Sequence, residues 1–213
     1  LNAATESTEP RIVFEDGRAA VTWWGVNEAH NVVYASIMTN KTTWNTTALT
    51  DNGKNSNLSS ISMVNNGFIT VAWQIIDGLH QRIQSKFYNA STSSWSTVMT
   101  MSDAGSNAFH ADIAADDTYS ATASWVRWNA AAAKYVPVIK KYSPPTWSGA
   151  VDNNYNNPAN WSSNTVPTAN SDIIIPPSAS IDISGDLNVN SMSIADGASI
   201  ISTGTITGPI SYT

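Results

Sequence analysis

Short runs of alternating apolar and polar residues fill the first two thirds of the chain and recur about every 50 residues. The clearest marker is a tryptophan that ends one run of each set, found at Trp23, Trp73 and Trp125 with spacings of 50 and 52 residues. Alternation with a period of two is typical of half-buried strands, and a fixed longer period indicates a repeat architecture. The pattern therefore predicts tandem β units.

A second tryptophan series supports the same period. It consists of Trp44, Trp95 and Trp147, spaced by 51 and 52 residues, so six of the nine tryptophans fall on two registers. Trp147 also fits the start of a different module, described below, and its membership stays open. If it belongs to that module, the third unit lacks its outer strand.

Turn residues divide each unit into four short strands. Asp16-Gly17 and Asn66-Gly67 come before the first two marker tryptophans, and Asp116-Asp117 lies at the equivalent place in the third unit. Asp-Gly and Asn-Gly between alternating apolar residues predict β-hairpins, because a type I′ turn needs positive φ at both central positions. Four strands in about 50 residues match the blade of a β-propeller. The predicted units span about residues 5–50, 51–101 and 102–145.

The third unit carries a resemblance to a known repeat. Its Ser102-x-x-Gly105-x-x-Ala108 loop and its Ala121-x-x-x-Trp125 strand resemble a propeller-type repeat of secreted bacterial proteins, and the likeness covers residues 5–143. The resemblance implies propeller-like blades and little about function, since such blades serve many roles. Three blades are fewer than the about 4–8 of a closed ring. Further blades, several chains or an open stack are the alternatives, and each implies unpaired β-edges.

A second module follows the boundary marked by Pro144-Pro145. Three segments within residues 146–177 resemble the region that precedes β-helix repeats in bacterial surface proteins and adhesins: Trp147-Ser148-Gly149, Asn157-Pro158-Ala159-Asn160-Trp161 and Val166-Pro167-Thr168. The apolar triplets that follow are separated by Gly and Asn, as in a solenoid whose inward residues stack. The predicted fold is all-β, with three four-stranded propeller-like blades over residues 1–145 and a C-terminal β-solenoid or β-sandwich-like module over residues 146–213.

Composition narrows the function classes. The net charge is −6 and only 12% of residues are charged, which argues against binding to nucleic acid or an anionic membrane. No apolar stretch approaches the roughly 18 residues of a membrane span, and the absence of cysteine excludes disulfides and thiol nucleophiles. The chain begins at Leu1 rather than Met, so we expect it to be a processed piece of a longer protein.

Catalytic and metal-binding motifs are weak. The carboxylate pairs Glu15-Asp16 and Asp116-Asp117 share one hairpin position with Asn65-Asn66, which favours a structural role for all three pairs. The spacing of Asp152, Asn154 and Asn156 is similar to a calcium loop, but the Gly and distal Glu of such a loop are missing, so we expect an Asn-rich turn. No cofactor and no metal are predicted.

The predicted strand order places a group of polar residues on one face of the repeats. His30 and His80 lie at equivalent hairpin tips, and the loops that end at Asn55 and Asn107 lie on the same face. Trp44 and Trp95 each open a predicted outer strand, and such a tryptophan either stacks on a sugar or packs between neighbouring blades. The candidate ligand-binding residues are His30, His80, Asn55, Asn107, His110, Trp44 and Trp95.

These observations predict a secreted or cell-surface protein with a structural or adhesive role and no catalysis, including a subunit of an extracellular filament. Its expected partners are copies of itself or further domains of the same chain, bound through exposed β-edges, with surface glycans as a further candidate. Two alternatives stay open: a carbohydrate-binding propeller lectin, and a fragment of a propeller glycosidase.

Overall fold

The computed structural model describes residues 6–27, 29–39, 41–50, 53–65, 67–90, 93–116, 119–169 and 171–212. Within these ranges the chain is almost entirely β-strand and turn, with one short 3-10 turn at Pro158–Asn160, which confirms the all-β class. No helix of this part of the chain is long and apolar enough to cross a membrane. The chain divides into two compact units, Leu1–Tyr88 with Val98–Tyr142, and Asn89–Thr97 with Ser143–Thr213.

The first sheet is an antiparallel meander of four strands: β1 (Glu6–Glu15), β2 (Arg18–Asn27), β3 (His30–Thr39) and β4 (Thr43–Ala48). Asp16 and Gly17 join β1 to β2 with φ of 46° and 72°. Both angles are positive, as a type I′ turn requires, so the hairpin predicted from Asp-Gly is confirmed. In the second repeat Asn66 lies outside the described residues, as do Asp117 and Thr118 in the third.

The second and third sheets repeat this antiparallel order. The second contains β5 (Ser56–Met63), β6 (Ile69–Asp77) and β7 (His80–Asn89); the short strand β8 (Ser94–Trp95) follows along the chain, and β9 (Met99–Thr100) pairs with β7. The third contains β10 (Ala108–Ala115), β11 (Ala121–Asn129) and β12 (Lys134–Tyr142). The third sheet thus has three strands among the described residues, not the predicted four, because the chain leaves it after Tyr142 and Trp147 lies in the second unit.

The marker tryptophans occupy one structural position. Trp23, Trp73 and Trp125 lie in the second strand of their sheets, and their side chains are 6%, 0% and 4% exposed. The residues that face them on the third strands are Tyr34, Gln84 and Val138. A bulky ring buried at the same register in every unit explains why the period could be read from tryptophan alone.

Consecutive sheets of the first unit pack on one another. Strand β5 contacts β1, β2 and β3, while β10 contacts β5 and β6. Ile61 of β5 and Ile113 of β10 are equivalent residues and are buried, with 9% and 5% exposure. Phe87 of the second sheet and Trp125 of the third belong to one buried cluster. The first strand of each later sheet therefore supplies the apolar contact to the sheet before it.

The outermost faces of this stack keep apolar residues exposed. Ile12 of β1 is equivalent to Ile61 and Ile113, yet it is 69% exposed, and Phe14 beside it is 68% exposed. At the other end Ile139 of β12 is 73% exposed. Its equivalents in the first and second sheets, Ala35 and Ser85, are 1% and 0% exposed.

The second unit is a solenoid of parallel strands stacked in rungs. One parallel sheet contains β13 (Asp172–Ile175), β16 (Ser191–Ile194) and β19 (Ile210–Tyr212); two parallel pairs contain β14 (Ser180–Ile183) with β17 (Ser199–Ser202), and β15 (Leu187–Asn188) with β18 (Ile206–Thr207). Ile173 pairs with Met192 and Ile181 pairs with Ile200, a step of 19 residues in each case. Inward apolar residues of successive rungs then stack, as the Gly- and Asn-broken triplets predicted.

Aromatic side chains close one part of the solenoid core. Trp161 makes edge-to-face contacts with Trp147 and Tyr155, with ring centroids 5.1 Å apart in both pairs. Its indole Nε1 donates to the carbonyl of Tyr155 at 2.9 Å. Burial raises the pKa of Tyr155 to about 12. Trp147 is 2% exposed in this cluster, so the solenoid module, and not the third sheet, contains it.

Candidate functional site

Asn55 and Asn107 hold loops in place. The Oδ1 atom of Asn55 accepts a hydrogen bond from the backbone N–H of Asn31 at 2.9 Å, and that of Asn107 accepts one from Gln81 at 2.9 Å. Each bond ties the loop before one sheet to the hairpin tip of the sheet before it. The two residues thus lie beside the predicted hairpin tips and make equivalent structural contacts there.

The two hairpin histidines begin the third strands of their sheets. His30 pairs with Asn27 and His80 pairs with Asp77, and both imidazoles are half-buried. The Nδ1 atom of His80 is buried without a hydrogen-bond partner among the described residues. The Lys54 ammonium, 2.8 Å from the carboxylate of Asp77, holds the pKa of that carboxyl below its usual value. Nowhere in the described ranges do three or more His, Asp or Glu side chains group as a metal site would need.

The second tryptophan series does not share one environment. Trp44 is half-buried on β4, where it faces Met38 of β3. Trp95 is half-buried in a segment that belongs to the second unit, and Trp147 is buried in the core of that unit. The regular spacing of 51 and 52 residues therefore does not mark three equivalent positions.

A pocket lies instead where the first strands of the three sheets meet. Its volume is about 280 Å³. All of its lining residues come from β1, β5 and β10, and they are Glu9, Arg11, Leu58, Ser59, Ser60, His110, Ala111 and Asp112. Of these, His110 is the one that sequence analysis selected. We call this cavity the inner pocket.

A β-bulge in each first strand shapes the inner pocket. The pairing register shifts between Thr8 and Arg11 in β1, between Asn57 and Ser60 in β5, and between Phe109 and Asp112 in β10. Within these bulges Glu9, Leu58 and His110 have φ of 52°, 50° and 55°. Residues other than glycine rarely adopt positive φ, and a bulge redirects the side chains that follow it. The same distortion in all three sheets directs equivalent positions into one cavity.

Those equivalent positions carry different chemistry in each sheet. The bulge position holds Glu9, Leu58 and His110, and the position after the bulge holds Arg11, Ser60 and Asp112. The buried tryptophans of the second strands keep their residue type from unit to unit, and these bulge positions do not. The inner pocket is thus a place where the repeat differs from unit to unit.

Hydrogen bonds fix the acidic groups of the inner pocket. The Glu9 carboxylate accepts from the indole Nε1 of Trp24 at 2.9 Å. The Oδ1 atom of Asp112 accepts from the Ser60 hydroxyl at 2.5 Å and from the backbone N–H of Ile113 at 3.0 Å. Sequence reasoning missed this site because its residues differ in type between the repeats and the bulges that bring them together leave no mark in the residue alternation.

The Asn-rich turn of the second unit uses its oxygen atoms within the protein. The Asp152 carboxylate accepts hydrogen bonds from the side chains of Asn157 and Asn160 and from the backbone N–H of Asn154. Together these donors hold the pKa of Asp152 below its usual value. Asn154 in turn accepts from the backbone N–H of Asn156 at 3.0 Å. This is the Asn-rich turn predicted from the sequence.

Comparison with known proteins finds no matching family model and no matching curated protein. Among solved structures, the chain is similar to an endo-arabinase from Bacteroides thetaiotaomicron, with 11% identity and a TM-score of 0.42 over 63% of this chain and 55% of that one. It is also similar to an endo-1,4-beta-xylanase from the same organism, with 14% identity and a TM-score of 0.40 over 64% and 55% of the two chains. The chain thus spans about half the length of both enzymes, and neither similarity is close enough to assign an activity.

Proposed function

We propose that this chain is a non-catalytic structural or adhesive subunit of the cell exterior, which associates with copies of itself through the outer faces of the first and third sheets. The observation that carries the proposal is the difference in burial between equivalent residues. Ile12 is 69% exposed where Ile61 and Ile113 are buried. An apolar side chain at a position built for sheet-on-sheet packing favours a further sheet as its partner.

The outer face of the third sheet supports the same conclusion. Trp128 and Tyr135 face each other on β11 and β12 with ring centroids 5.2 Å apart, and they are 42% and 56% exposed. Ile139, four residues after Tyr135, lies on the same face because side chains alternate along a strand. Terminal members of a repeat array are usually capped by a polar outer face. Three exposed apolar side chains on one terminal face are typical of an interaction surface.

A second copy of the chain fits both faces. Inside the chain, the first strand of one sheet packs on the preceding sheet, with Ile61 and Ile113 in the contact. If the first sheet of one copy packs on the third sheet of another, Ile12 takes the same role against the face that carries Ile139. Such a contact joins two different surfaces, so it continues from copy to copy as a ring or a filament.

Composition supports the extracellular location. The chain carries few charges and is rich in Asn, Ser and Thr, so hydroxyl and amide groups rather than charges keep its surface soluble, as is typical of extracellular β-proteins. Absence of catalysis is checked with aryl glycosides, because a glycosidase fragment is one of the alternatives raised by the sequence. We expect no turnover, and specific turnover that purifies with the chain would contradict the non-catalytic role.

Sedimentation velocity over a wide concentration range tests the association. We expect the mean mass to rise with concentration for the natural chain and to stay at the monomer value for Ile139→Lys. Leu79→Lys is the matched control, since Leu79 is 95% exposed at a hairpin tip of the second sheet, away from both outer faces. A monomer at every concentration, or equal association of Ile139→Lys and Leu79→Lys, would overturn the proposal.

A further inference from the structure

We propose that the inner pocket binds one ring of a neutral saccharide. This inference is independent of self-association. Arg11 and Ile12 are neighbours on β1, so their side chains point to opposite faces of the first sheet, and the outer-face residues Ile139, Trp128 and Tyr135 do not line the pocket. It also differs from the predicted hairpin-tip site, with which it shares only His110.

The polar groups of the inner pocket match the chemistry of a sugar. The side chains of Arg11 and His110 make no hydrogen bond to the described residues, so their donors are available to a ligand. Glu9 and Asp112 accept hydrogen bonds from the protein, but a carboxylate has about four lone-pair sites, so acceptor capacity remains. Each hydroxyl of a sugar both donates and accepts, and it can pair with both sets.

The same set of charges disfavours anionic ligands. An anion that approached Arg11 would also meet the carboxylates of Glu9 and Asp112. Repulsion between like charges at short distance weakens binding, and a neutral ligand does not experience this repulsion. The donors of Arg11 and His110 and the acceptors of the two carboxylates therefore favour a neutral molecule with many hydroxyls over an anion.

The size of the inner pocket limits the ligand. Its volume of about 280 Å³ lies just below the roughly 300–1,000 Å³ of small-molecule sites. Leu58 supplies an apolar wall at the bulge of the second sheet, where the C–H face of a ring can pack. One sugar ring fits this space, and a longer saccharide would extend into solvent.

The difference between repeats favours a ligand over a purely structural role. The same bulge recurs in all three first strands, so the backbone that shapes the pocket is repeated while the side chains that line it are not. At the inner pocket, equivalent bulge positions hold Glu9, Leu58 and His110. A sugar ring presents different groups around its edge, because it has no threefold symmetry. Its recognition therefore requires different side chains on the three strands.

Titration followed by amide NMR tests the proposal with defined probes, the methyl glycosides of glucose, galactose and mannose. We expect at least one probe to give saturable shifts at the amides of residues 9–11, 58–60 and 110–112, with a dissociation constant of about 1 mM, as suits a ligand of this size. Glucuronate should bind more weakly than the neutral sugar. No saturable shift with any probe at about 100 mM, or binding of glucuronate alone, would overturn the proposal.

Two variants identify the groups responsible. Arg11→Ala and His110→Ala should each weaken binding about tenfold, the effect of one lost polar contact. Arg18→Ala is the matched control, because Arg18 is in the same sheet but donates to the carbonyl of Asn65, outside the inner pocket. Unchanged amide positions elsewhere show that each variant is folded. If both pocket variants bind as well as Arg18→Ala, the site assignment is wrong. All of these variants are made in the Ile139→Lys chain, which we expect to stay monomeric. Sugar binding is then measured without any contribution from self-association.

Discussion

At the scale of single residues, a few buried polar side chains control the shape of the second unit. Asn160 is fully buried, yet every polar atom of its side chain has a partner. Its Nδ2 donates to Asp152 at 2.6 Å and to the carbonyl of Asn154 at 3.1 Å, while its Oδ1 accepts from the backbone N–H groups of Val151 and Asp152. Since a buried polar group costs free energy unless it is paired, one asparagine fixes the path of the whole turn.

Asn160→Ala should therefore destabilise the protein strongly. The substitution leaves the backbone N–H groups of Val151 and Asp152 without their acceptor and removes one of the two donors to Oδ1 of Asp152. We expect a loss of about 2–4 kcal/mol in the free energy of unfolding. Urea denaturation followed by tryptophan fluorescence measures it, because Trp161 lies next to this turn. Asn156→Ala, at an exposed position of the same turn, serves as the control and should change little. Equal effects of the two substitutions would show that the buried network does not stabilise the unit.

Sequence reasoning predicted single residues well where one physical demand decides them. The tryptophans of the second strands recur because a buried face of each sheet needs bulk, and that demand leaves a visible period. The residue types that line the inner pocket do not recur from one repeat to the next. Arg11, Ser60 and Asp112 come together only because three strands meet, each with a bulge that the residue alternation does not reveal. A site made from unlike residues about 50 positions apart needs the fold before it can be found.

At the scale of strands and turns, local chemistry decided most of the outcome. The Asp16-Gly17 hairpin follows from backbone angles that few residue pairs accept, and the parallel rungs follow from apolar triplets between Gly and Asn. The membership of Trp147 stayed open in the sequence, because this residue fits both the spacing of the second tryptophan series and the start of the solenoid module. Packing against Trp161 places it in the solenoid core, so the third sheet, among the described residues, lacks the fourth strand of the predicted blade.

Stacking of the solenoid rungs depends on one close contact between glycines. A Cβ atom on Gly204 would lie 2.3 Å from the carbonyl carbon of Gly185, on the rung before it. Gly204→Ala must therefore push two rungs apart, and we expect a cost of about 3 kcal/mol. Gly185→Ala is the control, because its Cβ would meet no atom within 4 Å and only its φ of 84° is unfavourable, a cost of about 1–2 kcal/mol. Chemical denaturation of both variants compares them, and a larger effect of Gly185→Ala would contradict the close stacking.

At the scale of the whole molecule, the two outer faces of the first unit are different surfaces. One carries Ile12 and Phe14, and the other carries Trp128, Tyr135 and Ile139. A contact between unlike faces has a consequence that a symmetric dimer does not share. A copy with one damaged face can still bind through its intact face. Such a copy can join the end of a growing assembly, but no further copy can then bind to it.

Mixing two variants distinguishes these modes of association. Ile12→Lys with Phe14→Lys removes the first face, and Ile139→Lys removes the second, because a buried lysine without a partner opposes packing. Each variant alone should stay monomeric, since its intact face meets only a damaged one. An equal mixture should form a dimer with one intact contact and nothing larger, which sedimentation velocity resolves by mass. Dimers of either variant alone would indicate a symmetric contact, and a mixture that stays monomeric would show that these two faces do not bind each other.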